Sequence, residues 1–269
     1  MKNKQILLIS IFLISILTNA LAHGEESENN YQNLSQTSIT LIVITSLIVI
    51  VLVAISILYE KPIKKYKKIL FLGIIMPIIL TSLFMIISTI YLNAISETKG
   101  PVHWHADFEI WNCGKKLNLV DPRGFSNREG TSTFHEHNDN RIHIEGLVYD
   151  LEDIDLDSFI DIIGGSLTQE KLIIPTNDGI VTMSNGDQCD GKPASVQVFV
   201  YHVQNPLSAG PFLYRQEKLE YFEDYIIAPY QLVPPGDCII IEFAAEKENT
   251  DKICETYRVA QEEGDIRGS

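Results

Sequence analysis

Five of the seven histidines in this 269-residue chain fall between His103 and His143. They stand as His103-Trp104-His105 and His135-Glu136-His137, with His143 inside Arg141-Ile142-His143-Ile144-Glu145. Neutral imidazole suits zinc, copper, iron or nickel, and suits calcium or magnesium poorly. On a β-strand, residues two apart share a face and lie about 6.5–7 Å apart along it. Each His-x-His therefore aims two rings to one side. If the strands carrying the pairs lie side by side, up to four nitrogens converge. His143 could add a fifth, and Glu145, on the same strand face, a carboxylate ligand or an acceptor behind a ligand. The expected metal ligands are thus His103, His105, His135, His137 and His143, and the expected ion is copper or zinc. His202, in Val200-Tyr201-His202-Val203, is expected to be an ordinary strand histidine.

A catalytic zinc keeps three protein ligands and a water, with a carboxylate near enough to act as base. Asp107, Glu109, Glu136, Asp139 and Glu145 are candidates for that role. No Gly-x-Ser-x-Gly, His-Glu-x-x-His or phosphate loop occurs, so binding, sensing or transfer of the ion is preferred to catalysis. The alternative from another class is a metal-free interaction module of the cell envelope.

Three resemblances attach to these residues. Gly130 to Gly146 resembles a cupin first motif, His-x-His followed by Glu and Gly, which implies a His-ligated metalloenzyme. It departs from that motif in a longer gap between His and Glu, and no second motif with its His follows. His23 after Ala22, an outer His-x-His and a two-helix anchor are similar to the copper-bearing subunit of membrane ammonia and methane monooxygenases. The N-terminal cupredoxin domain of that subunit is missing here. A wider pattern covers residues 102 to 165: His103-x-His105-Ala106, a turn at Asn112 to Gly114, then Phe134-His135-x-His137 leading to Ile142-His143-Ile144-Glu145. It resembles a family of uncharacterised secreted or membrane-anchored prokaryotic proteins. Asn138 stands where that family often has Asp, and Cys113 interrupts the Asn-Gly pair. The family has no established activity to carry over.

The elements that must position these histidines are strands. From Val102 to Trp111, Val102, Trp104, Ala106, Phe108 and Ile110 alternate with His103, His105, Asp107 and Glu109, the period of a half-buried strand. Asn112 to Lys115 reads as a hairpin turn, with Leu117 to Val120 as the returning strand. Thr133 to His137 and Arg141 to Leu147 follow as strands. Ile154, Phe159, Ile162 and Ile163 recur at helical spacing before Gly164-Gly165, predicting a short helix over Asp155 to Ile163. Leu172 to Ile174, Ile180 to Met183, Val196 to Val203 and Cys238 to Phe243 read as further strands. The tail from Glu246 is expected to be partly helical and then to fray. Many short strands and one short helix predict a mainly-β sandwich or partly open barrel over residues 100 to 269.

Ahead of that domain the chain is apolar. Lys2 and Lys4, the uncharged run Ile6 to Leu17 and Ala20-Leu21-Ala22 form a secretory signal peptide over residues 1–22, with an uncleaved anchor as the alternative. A polar tail follows over 23–38. Ile39 to Tyr59 and Ile69 to Ile95 carry no charge and are long enough to span a bilayer core. The intervening residues 60–68 hold five lysines, which the positive-inside rule places in the cytoplasm. The domain over 100–269 is then outside the cytoplasm, at the cell membrane. From Glu97 onward 14 Lys and Arg face 31 Asp and Glu, a net −17 that argues against nucleic acid as a partner. The expected partners are the lipid bilayer and a protein that donates or accepts metal; oligomeric state is not legible. The cysteines Cys113, Cys189, Cys238 and Cys254 all fall outside, predicting two disulfides with three pairings open. Cys113 as a metal ligand is the lesser alternative.

Overall fold

The computed structural model describes residues 30–59, 64–123, 127–208, 210–227 and 236–269. The expected signal peptide and His23 lie outside the described residues. The chain divides into two compact units, Met1–Ala94 and Ile95–Ser269.

In the first unit, helices α1 (Asn30–Leu58) and α2 (Lys67–Ile95) are long and apolar enough to cross a membrane. α1 starts before the expected Ile39. The hydroxyls of Thr37, Ser38 and Thr40 donate to the carbonyls of Asn33, Leu34 and Gln36, so polar side chains satisfy themselves along the helix. Pro77 sits inside α2. The Thr45 and Thr81 hydroxyls, one from each helix, are 2.6 Å apart.

In the second unit, β1 (Val102–Asn112) alternates as read, and Val102, Trp104, Ala106, Phe108 and Ile110 enter the core. Its other face departs from expectation. His103 is exposed, but Asp107 and Glu109 are buried, so the strand is half-buried only at its histidine end. Arg141 and Thr256 cover Asp107, and Lys116 and Trp111 cover Glu109. Cys113 and Gly114 both take positive φ (49° and 77°), which makes the tight two-residue hairpin whose twist suits paired strands. The returning strand β2 is Lys115–Lys116, shorter and earlier than the expected Leu117–Val120. The rest of that edge of β1 is taken by β5 (Arg141–Gly146), so the chain turns away after Leu117. Between β2 and β5 in the chain come β3 (Glu129–Gly130) and β4 (Phe134–Glu136).

Asp155 caps α3 (Leu156–Ile162) by accepting from the Ser158 amide, within the range predicted. A three-stranded sheet follows: β6 (Ser166–Thr168), β7 (Lys171–Thr176) and β8 (Gly179–Ser184). The short pair β9 (Gln188–Cys189) and β10 (Lys192–Pro193) precedes β11 (Ser195–Val203), β12 (Phe212–Leu219) and β13 (Asp237–Ala244). The tail forms α4 (Glu255–Glu263), stopped by Gly264 at φ 86°. It ends in β14 (Ile266–Gly268) rather than fraying, because β14 pairs in parallel with β12.

The main sheet is open and mixed, in the order β14-β12-β11-β13-β1-β5-β4-β3 with β2 beside β1. One core joins its inner face to α3 and the three-stranded sheet through Phe108, Phe159, Leu167 and Ile174. A smaller cluster of Phe199, Tyr201, Ile240, Tyr257 and Ile266 packs α4 against the outer face. The unit is mainly β, as expected. The pairing of β1 with β13, parallel and far apart in sequence, is what no local period could announce. Cys113 pairs with Cys189 and Cys238 with Cys254, so Cys113 is no metal ligand.

Candidate metal centre

β1, β5 and β4 lie side by side in that order, so the two His-x-His pairs are not on neighbouring strands. β5 lies between them. His143 pairs directly with His105 on one side and with His135 on the other. This makes His143 the centre of the constellation rather than an added fifth member. The His105 ring centroid is 4.8 Å from that of His143, and those of His137 and His135 are 4.9 and 5.4 Å away. His103 stands 4.6 Å from His105.

The five rings form two triads that share His143. His103, His105 and His143 make one, and His135, His137 and His143 the other; within each, the ligand atoms lie within 4.8 Å of one another. Two nitrogens on one tetrahedral ion with bonds of 2.0–2.1 Å stand about 3.3 Å apart. The His103 and His105 Nε2 atoms, at 3.0 Å, are already near that spacing. The triads differ in access. The His103 side chain is 64 % exposed, whereas His135 is 2 % exposed.

Hydrogen bonds set which nitrogen is free in two of the rings. Nε2 of His143 lies 3.4 Å from the Asp139 carboxylate, which can only accept, so Nε2 carries the proton and Nδ1 is the free atom. Nδ1 of His137 donates to the Asn127 carbonyl, which frees Nε2. Nδ1 of His135 and Nδ1 of His143 are both buried with no hydrogen-bond partner among the described residues. A third such atom, Trp104 Nε1, belongs to the core side of β1. A buried polar nitrogen without a partner costs about 1–3 kcal/mol, and an ion bound there would remove that cost. Backing ligand rings with carboxylates or carbonyls is the usual support of a metal site. Glu145 does not back a ring in this way: its Oε1 lies 3.2 Å from His103 Nε2, the same nitrogen that faces His105.

Electrostatics favour the neutral form of three of the rings. His135, His105 and His143 all titrate below the ordinary histidine value, chiefly because burial penalises the charged form. Neighbouring rings add to this: His137 and His143 act on His135, and His143 and His103 on His105. Asp139 partly offsets the shift at His143. Glu136, between the ligands of β4 but on the opposite strand face, is buried. Burial pushes its carboxyl up to about 7, against the pull of the Asn138 amide that it accepts.

Two glycines hold the ligand strands close. At Gly236 (φ +89°) a Cβ would sit 2.0 Å from the His105 carbonyl oxygen. At Gly130 (φ +108°), register partner of His135, it would sit 2.6 Å from the Phe134 carbonyl and 3.0 Å from the His135 Cα. Neither glycine is marked in the sequence by anything but its type. Of the carboxylates considered as bases, Asp107 and Glu109 are tied to Arg141 and Lys116. Asp139 and Glu145 are the two that touch rings. The Asp139 contact depends on the β4–β5 turn, where Asn138 and Asn140 both take positive φ, a conformation Asn tolerates better than most residues. His202 stands apart from the cluster, 3.9 Å from Glu217. A scan against protein-family models, a search of curated proteins and a search of solved structures each found no match.

Proposed function

We propose that this chain is a membrane-tethered, extracytoplasmic protein that binds a transition-metal ion, copper or zinc, through His103, His105, His135, His137 and His143. The observation that carries the reading is the register of three adjacent strands, which stacks His105, His143 and His135 in one row. Two of the ring nitrogens there are buried and unpartnered among the described residues. The outside location is supported by two disulfides in the domain, by the apolar lengths of α1 and α2, and by the lysine-rich segment between them. Ligands that are nearly all imidazole favour copper or zinc over hard cations. Binding or transfer is favoured over catalysis because Asp139 and Glu145 already serve ring nitrogens, which leaves neither as a free base.

The test is metal content of the full chain, purified in detergent with a tag that contains no histidine. After anaerobic reconstitution with zinc, copper(II) or copper(I), about one equivalent should be retained through desalting. Less than about 0.2 equivalents of all three would leave a metal-free envelope interaction module as the better reading.

A further inference from the structure

The two triads meet at one side chain, and that side chain has one nitrogen to give. Nε2 of His143 faces the Asp139 carboxylate, and Nδ1 is the buried free atom. Two ions held at once would have to share His143 as a bridging imidazolate, which requires stripping the proton that Asp139 accepts. With Nδ1 alone available, the triads exclude each other. They also differ in access: one ends at the exposed His103 and Glu145, the other at the buried His135.

We infer that the site takes one ion at a time in two alternative positions around His143, an outer loading position and an inner resident position. This rests on the metal-binding reading above. An ion from solvent first meets His103 and His105 at the exposed end, with Glu145 Oε1 beside His103 Nε2. It then passes to His135 and His137 by ligand exchange while His143 remains bound. No net proton or electron is consumed, because each neutral imidazole keeps one unprotonated nitrogen to give the ion. The reverse route gives an acceptor protein access to the ion at the outer position without opening the core around His135.

Copper(II) is the probe, on the full chain in detergent, in a His23→Ala background so that copper on the N-terminal segment is not counted. Trp104, between His103 and His105 in sequence, reports loading by fluorescence quenching in stopped flow. The parent should bind one equivalent in two phases, the first linear in copper concentration and the second independent of it. His143→Ala should abolish tight binding. His103→Ala/His105→Ala should retain the ion at equilibrium but load it at least about tenfold more slowly. His135→Ala/His137→Ala should keep the fast phase, lose the slow one, and bind about 10–100-fold more weakly. Two equivalents in the parent, or a single concentration-dependent phase, overturns the two-position inference and leaves the metal reading standing. Less than about 0.2 equivalents in the parent overturns both. These parent measurements decide the matter even if a variant fails to fold.

Discussion

His135 and His143 face each other across β4 and β5 with their rings parallel to within 6° and their centroids 5.4 Å apart, and each buries an Nδ1 that has no partner among the described residues. Such an arrangement is poor for folding and good for a metal. Replacing His135 with leucine removes a buried unpaired nitrogen, so the metal-free protein should become more stable by about 1 kcal/mol. The same change should weaken metal binding at least about tenfold. Thermal unfolding followed by fluorescence of Trp104 and Trp111, with and without metal, reads both effects. A destabilised metal-free variant would mean that His135 has a partner in solution.

Acid should act on the metal-free domain through the same rings. His105, His135 and His143 titrate below the unfolded value of about 6.5, so the folded state binds fewer protons than the unfolded chain below that pH. Their contribution therefore falls as pH drops below about 6.5 and is fully lost below their folded values. Glu136 works in the other direction. Held protonated up to about 7 against an ordinary 4.5, it binds more protons when folded, so stability falls as pH rises through that window. Glu136→Gln should therefore raise the unfolding midpoint of metal-free protein at pH 8 and change it little at pH 4. An equal gain at both pH values would show that the carboxyl is not held protonated.

The two glycines at the ligand strands make a geometric prediction. Gly236→Ala and Gly130→Ala force a Cβ into the backbone beside His105 and His135, with left-handed strain added. Each should cost about 1–3 kcal/mol and reduce metal affinity about 10–100-fold. Gly186→Ala carries the same kind of strain with nothing within 4 Å, and should leave affinity unchanged. Competition against a chromophoric chelator measures all three. Equal affinity in all three would mean that these backbone contacts do not position the rings.

The disulfides should differ in effect. Cys113–Cys189 spans 76 residues and Cys238–Cys254 spans 16. On loop entropy alone their removal costs about 4.5 and 3 kcal/mol. Double serine variants, unfolded in urea and followed by the same tryptophans, should show that order. The reverse order would mean that burial of Cys238 and Cys254 outweighs loop length.

Much of this protein is written in short-range pattern. The alternation from Val102 to Ile110 puts the histidines of β1 on one face, because side chains on a strand point to opposite sides in turn. The runs around His135 and His143 declare β4 and β5 for the same reason. Uncharged length alone marks α1 and α2. Phe212–Leu219 was illegible because apolar and polar residues fall on both of its faces near the edge of the main sheet, so its residue types show no period of two although its burial alternates. Ile266–Gly268 is too short to show any period.

Sequence by itself determined which residues could serve a metal and on which strand face each would stand, since both follow from residue type and a period of two. Only the tertiary structure decided that β5 lies between β1 and β4, which turns His143 from a supplementary candidate into the residue common to both triads. It also decided which cysteines pair and that Asp107 and Glu109 are covered. Those outcomes depend on contacts between segments distant in the chain, and the free energy that selects them comes from burying whole faces together rather than from any local run of residues.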